Sequence, residues 1–101
     1  MSTALSQEET AGWLCTEIEV INKRGLHARA SAKFVQVCEK YAADVTVEKD
    51  GTKVGGQSIM GLMLLAASKG STVRICAKGG DANDALEAIK ELMQDRFGEE
   101  A

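Results

Sequence analysis

The chain has 101 residues, of which 45% are hydrophobic and 27% are charged, and its net charge is −3 at neutral pH. This length predicts one domain with a modest core that needs no metal to hold it. The mildly acidic balance argues against general binding to nucleic acid or a membrane surface, and no apolar run approaches the ~20 residues of a membrane span.

The first twelve residues are small, polar and acidic, with no hydrophobic period and no signal-peptide pattern. They predict a disordered N-terminal extension over residues 1–12, which leaves a folded domain over residues 13–101. Residues 14–21 then alternate between apolar and polar side chains. This alternation predicts a strand with one face in water.

The only histidine of the chain, His27, follows this strand. Apolar residues recur downstream at helical spacing as far as about Tyr41, so His27 lies where a helix begins. Free N–H groups at a helix start favour an anion, and Arg24 and Arg29 flank the position. The alternative is a capping or surface histidine without further function. No acid or second histidine lies nearby in sequence, so neither a metal site nor a hydrolytic triad can be built locally.

Residues 44–49 alternate again, Asp50-Gly51 is a strong hairpin signal, and residues 52–54 form a short return strand. Ser58 then stands as the N-cap of a short helix. One face of that helix is apolar, and Met60 and Leu64 fall off this face, which suggests an exposed apolar patch. The residues of the predicted face are Ile59, Leu62, Met63 and Ala66.

Residues 72–78 predict a further strand, and an apolar stripe from Ala82 to Phe97 predicts a last helix that Gly98 ends. The element order is therefore βαββαβα. Strands with one apolar face need a cover, and three amphipathic helices supply it. The predicted fold is an α+β, open-faced two-layer sandwich, with an antiparallel sheet covered on one side by three helices.

The three cysteines, Cys15, Cys38 and Cys76, are far apart and show no metal-ligand spacing. We interpret them as structural free thiols. Free thiols are typical of a reducing cytoplasm.

Two segments resemble a known family. Residues 22–35 read NKRGLHARASAKFV, and residues 57–63 read QSIMGLM before ASKG at residues 67–70. The first resembles the phosphorylation-site segment of HPr, the histidine-containing phosphocarrier of the bacterial phosphotransferase system, and the second resembles that family's regulatory-serine helix. The resemblance covers roughly residues 15–97. Ala30 stands where the sugar-type carriers usually have proline, and the Ala-Ser version resembles the nitrogen-type (NPr) branch.

The resemblance implies the four-stranded HPr-like fold and phosphorylation of His27, at Nδ1, by phosphorylated enzyme I. The phosphoryl group would then pass to an enzyme IIA-type domain. Arg29 and, as a weaker candidate, Arg24 would stabilise the phosphoryl group during transfer. Ser58 would be the site of an HPr kinase/phosphorylase in some members. Partner enzymes would dock on Ile59, Met60, Met63 and Leu64. The chain would be a carrier and not an enzyme, with no cofactor and no metal of its own.

Two other functions stay open at this stage. A non-transferring regulatory module would bind a partner through the Met60 patch and respond only to Ser58 phosphorylation. A ferredoxin-like small-molecule sensor would need a pocket or dimer face that the sequence does not locate. We expect a cytoplasmic monomer, and the sequence leaves open whether it serves sugar import or nitrogen-type regulation.

Overall fold

The computed structural model describes residues 7–10 and 12–100. The strands of this part of the chain are β1 (Gln7–Thr10), β2 (Trp13–Glu19), β3 (Asp44–Lys49), β4 (Thr52–Gly55) and β5 (Thr72–Lys78). Its helices are α1 (Ala28–Cys38), α2 (Ile59–Leu64) and α3 (Ala82–Gln94), and a short 3-10 helix follows over Arg96–Gly98.

The strands form one antiparallel sheet in the order β1-β2-β5-β3-β4. In the central pair, Ile18 lies opposite Val73 and Thr16 lies opposite Ile75. These side chains are buried, whereas Glu17 between them is exposed. The alternation read from the sequence therefore reflects one covered face and one open face.

The three helices cover the buried face, which confirms the predicted α+β two-layer sandwich. Helices α1 and α3 contribute most of the cover, and a single hydrophobic cluster joins them to the sheet. Their largest core side chains, Phe34 from α1 and Leu86 and Ile89 from α3, are almost completely buried. Removing such side chains from a close-packed core typically costs about 2–5 kcal/mol.

The strand predictions for residues 44–49 and 72–78 are confirmed to the residue. The last helix is shorter than predicted, because α3 ends at Gln94 while the apolar stripe continues to Phe97. Arg96 and Phe97 have positive φ angles of 55° and 56°, so the chain leaves the helical path. The side chain of Phe97 is nevertheless 1% exposed, and core burial explains why the residue resembled a helical one.

The prediction of disorder over residues 1–12 is wrong for Gln7–Thr10, which pair with β2. Residues 1–6 and 11 lie outside the described part of the chain. Strand β1 adds a fifth strand to the four that were predicted. Gly12, at φ 84°, allows the tight reversal between β1 and β2. The strand covers the free edge of β2, whose N–H and C=O groups would otherwise need water.

The interpretation of three free thiols is wrong for Cys15 and Cys76, which form a disulfide with a Cα–Cα distance of 4.0 Å. The two residues lie directly opposite each other in the register of β2 and β5, although 61 residues separate them in sequence. Cys38 is a buried free thiol, as predicted. Burial and the nearby Glu39 raise the pKa of Cys38 to about 12, so it is an unreactive core residue. Of the three cysteines, only Cys38 therefore still supports the argument from free thiols for a reducing compartment.

Among the described residues, no helix combines the length and apolar character needed to cross a membrane.

Candidate functional site

His27 is the N-cap residue of α1, with an extended backbone at φ −74° and ψ −179°. Its carbonyl oxygen accepts the first helical hydrogen bond, from the N–H of Ser31 at 2.9 Å. Its ring does not cap the helix. The N–H groups of the next three residues have no partner within the helix, and they carry the positive end of its dipole. An anion beside His27 would therefore meet free donors.

The loop that presents His27 rests on the turn after α2. Gly25 has a φ of 65°, and a Cβ atom there would lie 2.3 Å from the carbonyl oxygen of Ala67. The same oxygen accepts a hydrogen bond from the N–H of Leu26 at 2.9 Å. Only glycine permits this close approach of two backbones. The two segments that were singled out in the sequence are therefore joined directly.

The His27 ring has one partner among the described residues, the Glu99 side chain. The Nε2 atom of His27 lies 2.5 Å from Oε2 of Glu99, although 72 residues separate them. Oε1 of Glu99 accepts a hydrogen bond from the side-chain amide of Asn22 at 3.2 Å. The side chains of His27 and Glu99 are 17% and 18% exposed, so the pair is shielded but not closed off.

Glu99 is ionised at neutral pH. Partial burial alone would raise the pKa of its carboxyl, but hydrogen bonds from His27 and Asn22 outweigh that effect. The positive charge of Arg24, and that of His27 when its ring is protonated, act in the same direction, and the pKa of Glu99 lies below its ordinary value. A carboxylate in this state only accepts hydrogen bonds.

Arg24 and Arg29 are exposed on either side of His27. Arg29 is the second residue of α1 and is exposed at the helix start. The positive charge of Arg24 lowers the pKa of Glu99. The structure therefore gives the two arginines different surroundings, with Arg29 on the helix and Arg24 on the Glu99 side.

Ser58 is the N-cap of α2, as predicted. Its Oγ accepts a hydrogen bond from the N–H of Gly61 at 2.9 Å. The residue is exposed, so its hydroxyl is accessible from solvent. Capping and accessibility are compatible with each other.

The α2 face differs from the prediction. Leu62 and Leu65 provide the buried contacts, whereas Ala66 is exposed and has a φ of 52° that ends the helix. Four large apolar side chains of α2 are exposed, Ile59 at 39%, Met60 at 71%, Met63 at 41% and Leu64 at 77%. These four residues, which we call the α2 patch, are those expected to contact partners. A helix of six residues buries only one narrow edge, so the other large apolar side chains of α2 are exposed.

Sequence reasoning missed Glu99 and the role of Asn22. The only signal was the excess of acidic residues near the C-terminus, which does not single out Glu99. Asn22 belongs to the loop segment, but nothing in its type shows that it is fully buried. Within the described residues, no group of three acidic, cysteine or histidine side chains could hold a metal ion.

The chain is similar to known proteins in sequence and in fold. The family described as "PTS HPr component phosphorylation site" matches residues 14–95. Phosphocarrier protein HPr of Neisseria meningitidis is 48% identical over 82 residues, which cover 81% of this chain and 92% of that protein. HPr-like protein Crh of Bacillus subtilis is 47% identical over 79 residues, covering 78% and 93% of the two chains. A crystal structure of HPr from Thermoanaerobacter tengcongensis superimposes with a TM-score of 0.83 at 45% identity, covering 86% and 98%.

Proposed function

The chain belongs to the HPr family of phosphocarrier proteins of the phosphotransferase system, and we propose on that premise that His27 carries the phosphoryl group. The observation that carries this proposal is the position of His27 at the start of α1, beside free N–H groups. A neutral imidazole is a nucleophile at cellular pH. A phosphoimidazole keeps a high transfer potential, so we expect the group to pass on to an acceptor.

We infer that phosphorylated enzyme I, itself charged by phosphoenolpyruvate, donates the group, and that an enzyme IIA-type domain accepts it. The α2 patch is the proposed docking surface for both partners, since exposed methionine and leucine side chains suit varied partner surfaces. The carrier needs no cofactor, and any magnesium would belong to the enzyme that charges it. We propose that the chain acts as a monomer in the cytoplasm.

Labelling tests the proposal. The purified chain is incubated with enzyme I and radiolabelled phosphoenolpyruvate, and the protein-bound phosphate is then treated with acid or alkali. Phosphoimidazole is lost in acid and survives alkali, so we expect acid-labile label at one group per chain. Absence of label, or label stable in acid, would rule out His27 as the carrier.

The nitrogen-type pathway is the branch we propose, on the Ala30-Ser31 pair. Ala30 is fully buried in the first turn of α1, and Ser31 Oγ donates a hydrogen bond to the Leu26 carbonyl at 3.2 Å. This serine ties the helix start to the His27 loop. Competition between sugar-type and nitrogen-type IIA domains for label from His27 distinguishes the pathways, and faster transfer to a sugar-type domain would contradict the assignment.

Replacing Arg29 with alanine should slow transfer by tenfold or more, because a cation lost from a phosphoryl transition state typically costs a few kcal/mol. Stability should change little, since Arg29 is exposed. The measurement is the rate of His27 charging together with the melting temperature. Lys40→Ala, which removes an exposed cation just past the other end of α1, is the matched control and should charge normally. A large loss of stability with intact transfer would reverse the interpretation.

Ser58 caps α2 and directly precedes the α2 patch in sequence. Ser58→Ala removes the Oγ acceptor of the Gly61 N–H and should cost about 1 kcal/mol of stability while charging stays normal. Ser58→Asp keeps a capping oxygen and adds charge that suits the helix dipole, so stability should be equal or higher. The same charge beside the patch should weaken docking of enzyme I and slow charging. If Ser58→Asp charges as fast as wild type at sub-saturating enzyme I, Ser58 is only a cap and no kinase regulation acts there.

The second candidate function is the non-transferring regulatory module. The α2 patch favours it, because docking through exposed apolar side chains needs no phosphohistidine. It predicts partner binding that responds to Ser58 phosphorylation, with no acid-labile label in the charging assay. One assay therefore separates the two functions.

A further inference from the structure

The segment after α3, residues 95–99, turns back to reach His27, and we call it the C-terminal strap. Arg96, Phe97 and Gly98 have positive φ angles of 55°, 56° and 79°. Residues with a Cβ atom rarely adopt this conformation, so other contacts must hold it. Phe97 is buried in the core, and the Nζ atom of Lys33 donates a hydrogen bond to its carbonyl oxygen at 2.6 Å.

The C-terminal strap places the Glu99 carboxylate beside Asn22 and His27. Glu99 is held by the amide of Asn22, a residue with no exposed surface. The same amide donates to the carbonyl oxygen of Gly25 at 2.8 Å. Both partners of this amide are acceptors, so its nitrogen must be the atom that faces them. Asn22 thus links the strap to the loop that carries His27.

The contact also fixes the chemistry of the ring. A carboxylate cannot donate, so Nε2 of His27 must carry the proton in the short contact with Glu99. In the neutral ring the lone pair then lies on Nδ1. Among the described residues, nothing forms a hydrogen bond with Nδ1.

Resting on the proposed function, we infer that Glu99 is a positioning residue that holds His27 in the Nε2–H tautomer and so presents Nδ1 to phosphorus. The Nδ1 lone pair forms the N–P bond while the bond between phosphorus and the donor breaks, and that electron pair leaves with the donor. Nε2 keeps its proton throughout. The positive charge that develops on the ring is opposed by the Glu99 carboxylate.

The test compares three variants. Glu99→Ala removes both the acceptor and the charge, Glu99→Gln keeps a carbonyl acceptor without the charge, and Glu100→Ala is the matched control. Glu100 is the neighbouring exposed residue, so its removal changes the net charge of the segment equally. Phe97 and Lys33 still anchor the strap in each variant, and the melting temperature should show this.

The first readout is the ¹⁵N spectrum of the single imidazole at about pH 9, where an ordinary histidine ring is neutral. Wild type, Glu99→Gln and Glu100→Ala should show the Nε2–H tautomer, and Glu99→Ala should show a mixture. The second readout is steady-state charging by enzyme I. Glu99→Ala should lower kcat about tenfold or more, in line with the loss of a partner that orients a reactive histidine, and leave KM unchanged. Glu99→Gln should fall between Glu99→Ala and wild type, and Glu100→Ala should equal wild type.

The tautomer measurement needs no partner protein, so it separates this inference from the proposed function. If wild type fails to charge but its tautomer depends on Glu99, the carrier function is wrong and the positioning is right. An unchanged tautomer in Glu99→Ala would overturn the inference. Faster charging of that variant would also overturn it, because Glu99 would then be an obstacle to the incoming anion.

Discussion

We expect the His27→Ala variant to fold and to carry no acid-labile phosphate. The chain has one histidine, so no other imidazole can replace it. The fold should survive, because the His27 ring does not cap α1 and its hydrogen bond is to Glu99, which remains partly exposed and can be hydrated. The measurement is protein-bound label after incubation with enzyme I and labelled phosphoenolpyruvate, which should drop to background.

Two controls accompany this variant. Urea unfolding should give a free energy within about 1 kcal/mol of wild type, because the ring does not cap α1 and the Glu99 contact that is lost is partly exposed. Acid treatment identifies the residue that carries any residual label, since phosphoserine at Ser58 survives acid and phosphoimidazole does not. Undiminished acid-labile label in His27→Ala would contradict the assignment of His27 as the carrier residue.

The fold was predictable where neighbouring residues determine the structure. Strands β3 and β5 alternate without interruption, and the Asp50-Gly51 turn fixes the hairpin between β3 and β4. Ser58 was predictable as a helix start because capping is a local property, and His27 was predictable because the apolar spacing that follows it marks the start of α1. The sequence thus predicts both sites and the layers that carry them.

The parts that were missed depend on residues far apart in sequence. The disulfide needs Cys15 and Cys76 to meet in register, which the sheet order decides and no local pattern shows. The contact between Glu99 and His27 needs a reversal through left-handed Arg96 and Phe97, and neither residue type favours that conformation. Burial of Phe97 in the core stabilises the reversal, and that burial exists only once the layers have packed.

The Gly25→Ala variant should lose both stability and transfer. A left-handed backbone at φ 65° already costs alanine about 1–2 kcal/mol. The added Cβ would also lie 2.3 Å from the Ala67 carbonyl oxygen and 2.9 Å from Cα of Ser68, both backbone atoms that cannot rotate away. The loop must move, and the hydrogen bond between Leu26 and Ala67 should break. We expect a loss of about 3 kcal/mol or more in the free energy of unfolding, measured in urea.

Gly51→Ala is the matched control for Gly25→Ala. Gly51 has a φ of 84°, and no atom lies within 4 Å of its added Cβ, so it reports the backbone cost alone. It should lose about 1–2 kcal/mol and charge His27 at the wild-type rate. Gly25→Ala should lose more and charge slowly even in conditions where it is fully folded, because His27 lies two residues beyond the displaced backbone. Equal stability losses and equal charging rates in the two variants would show that the contact between the His27 loop and the α2 turn does not position the histidine.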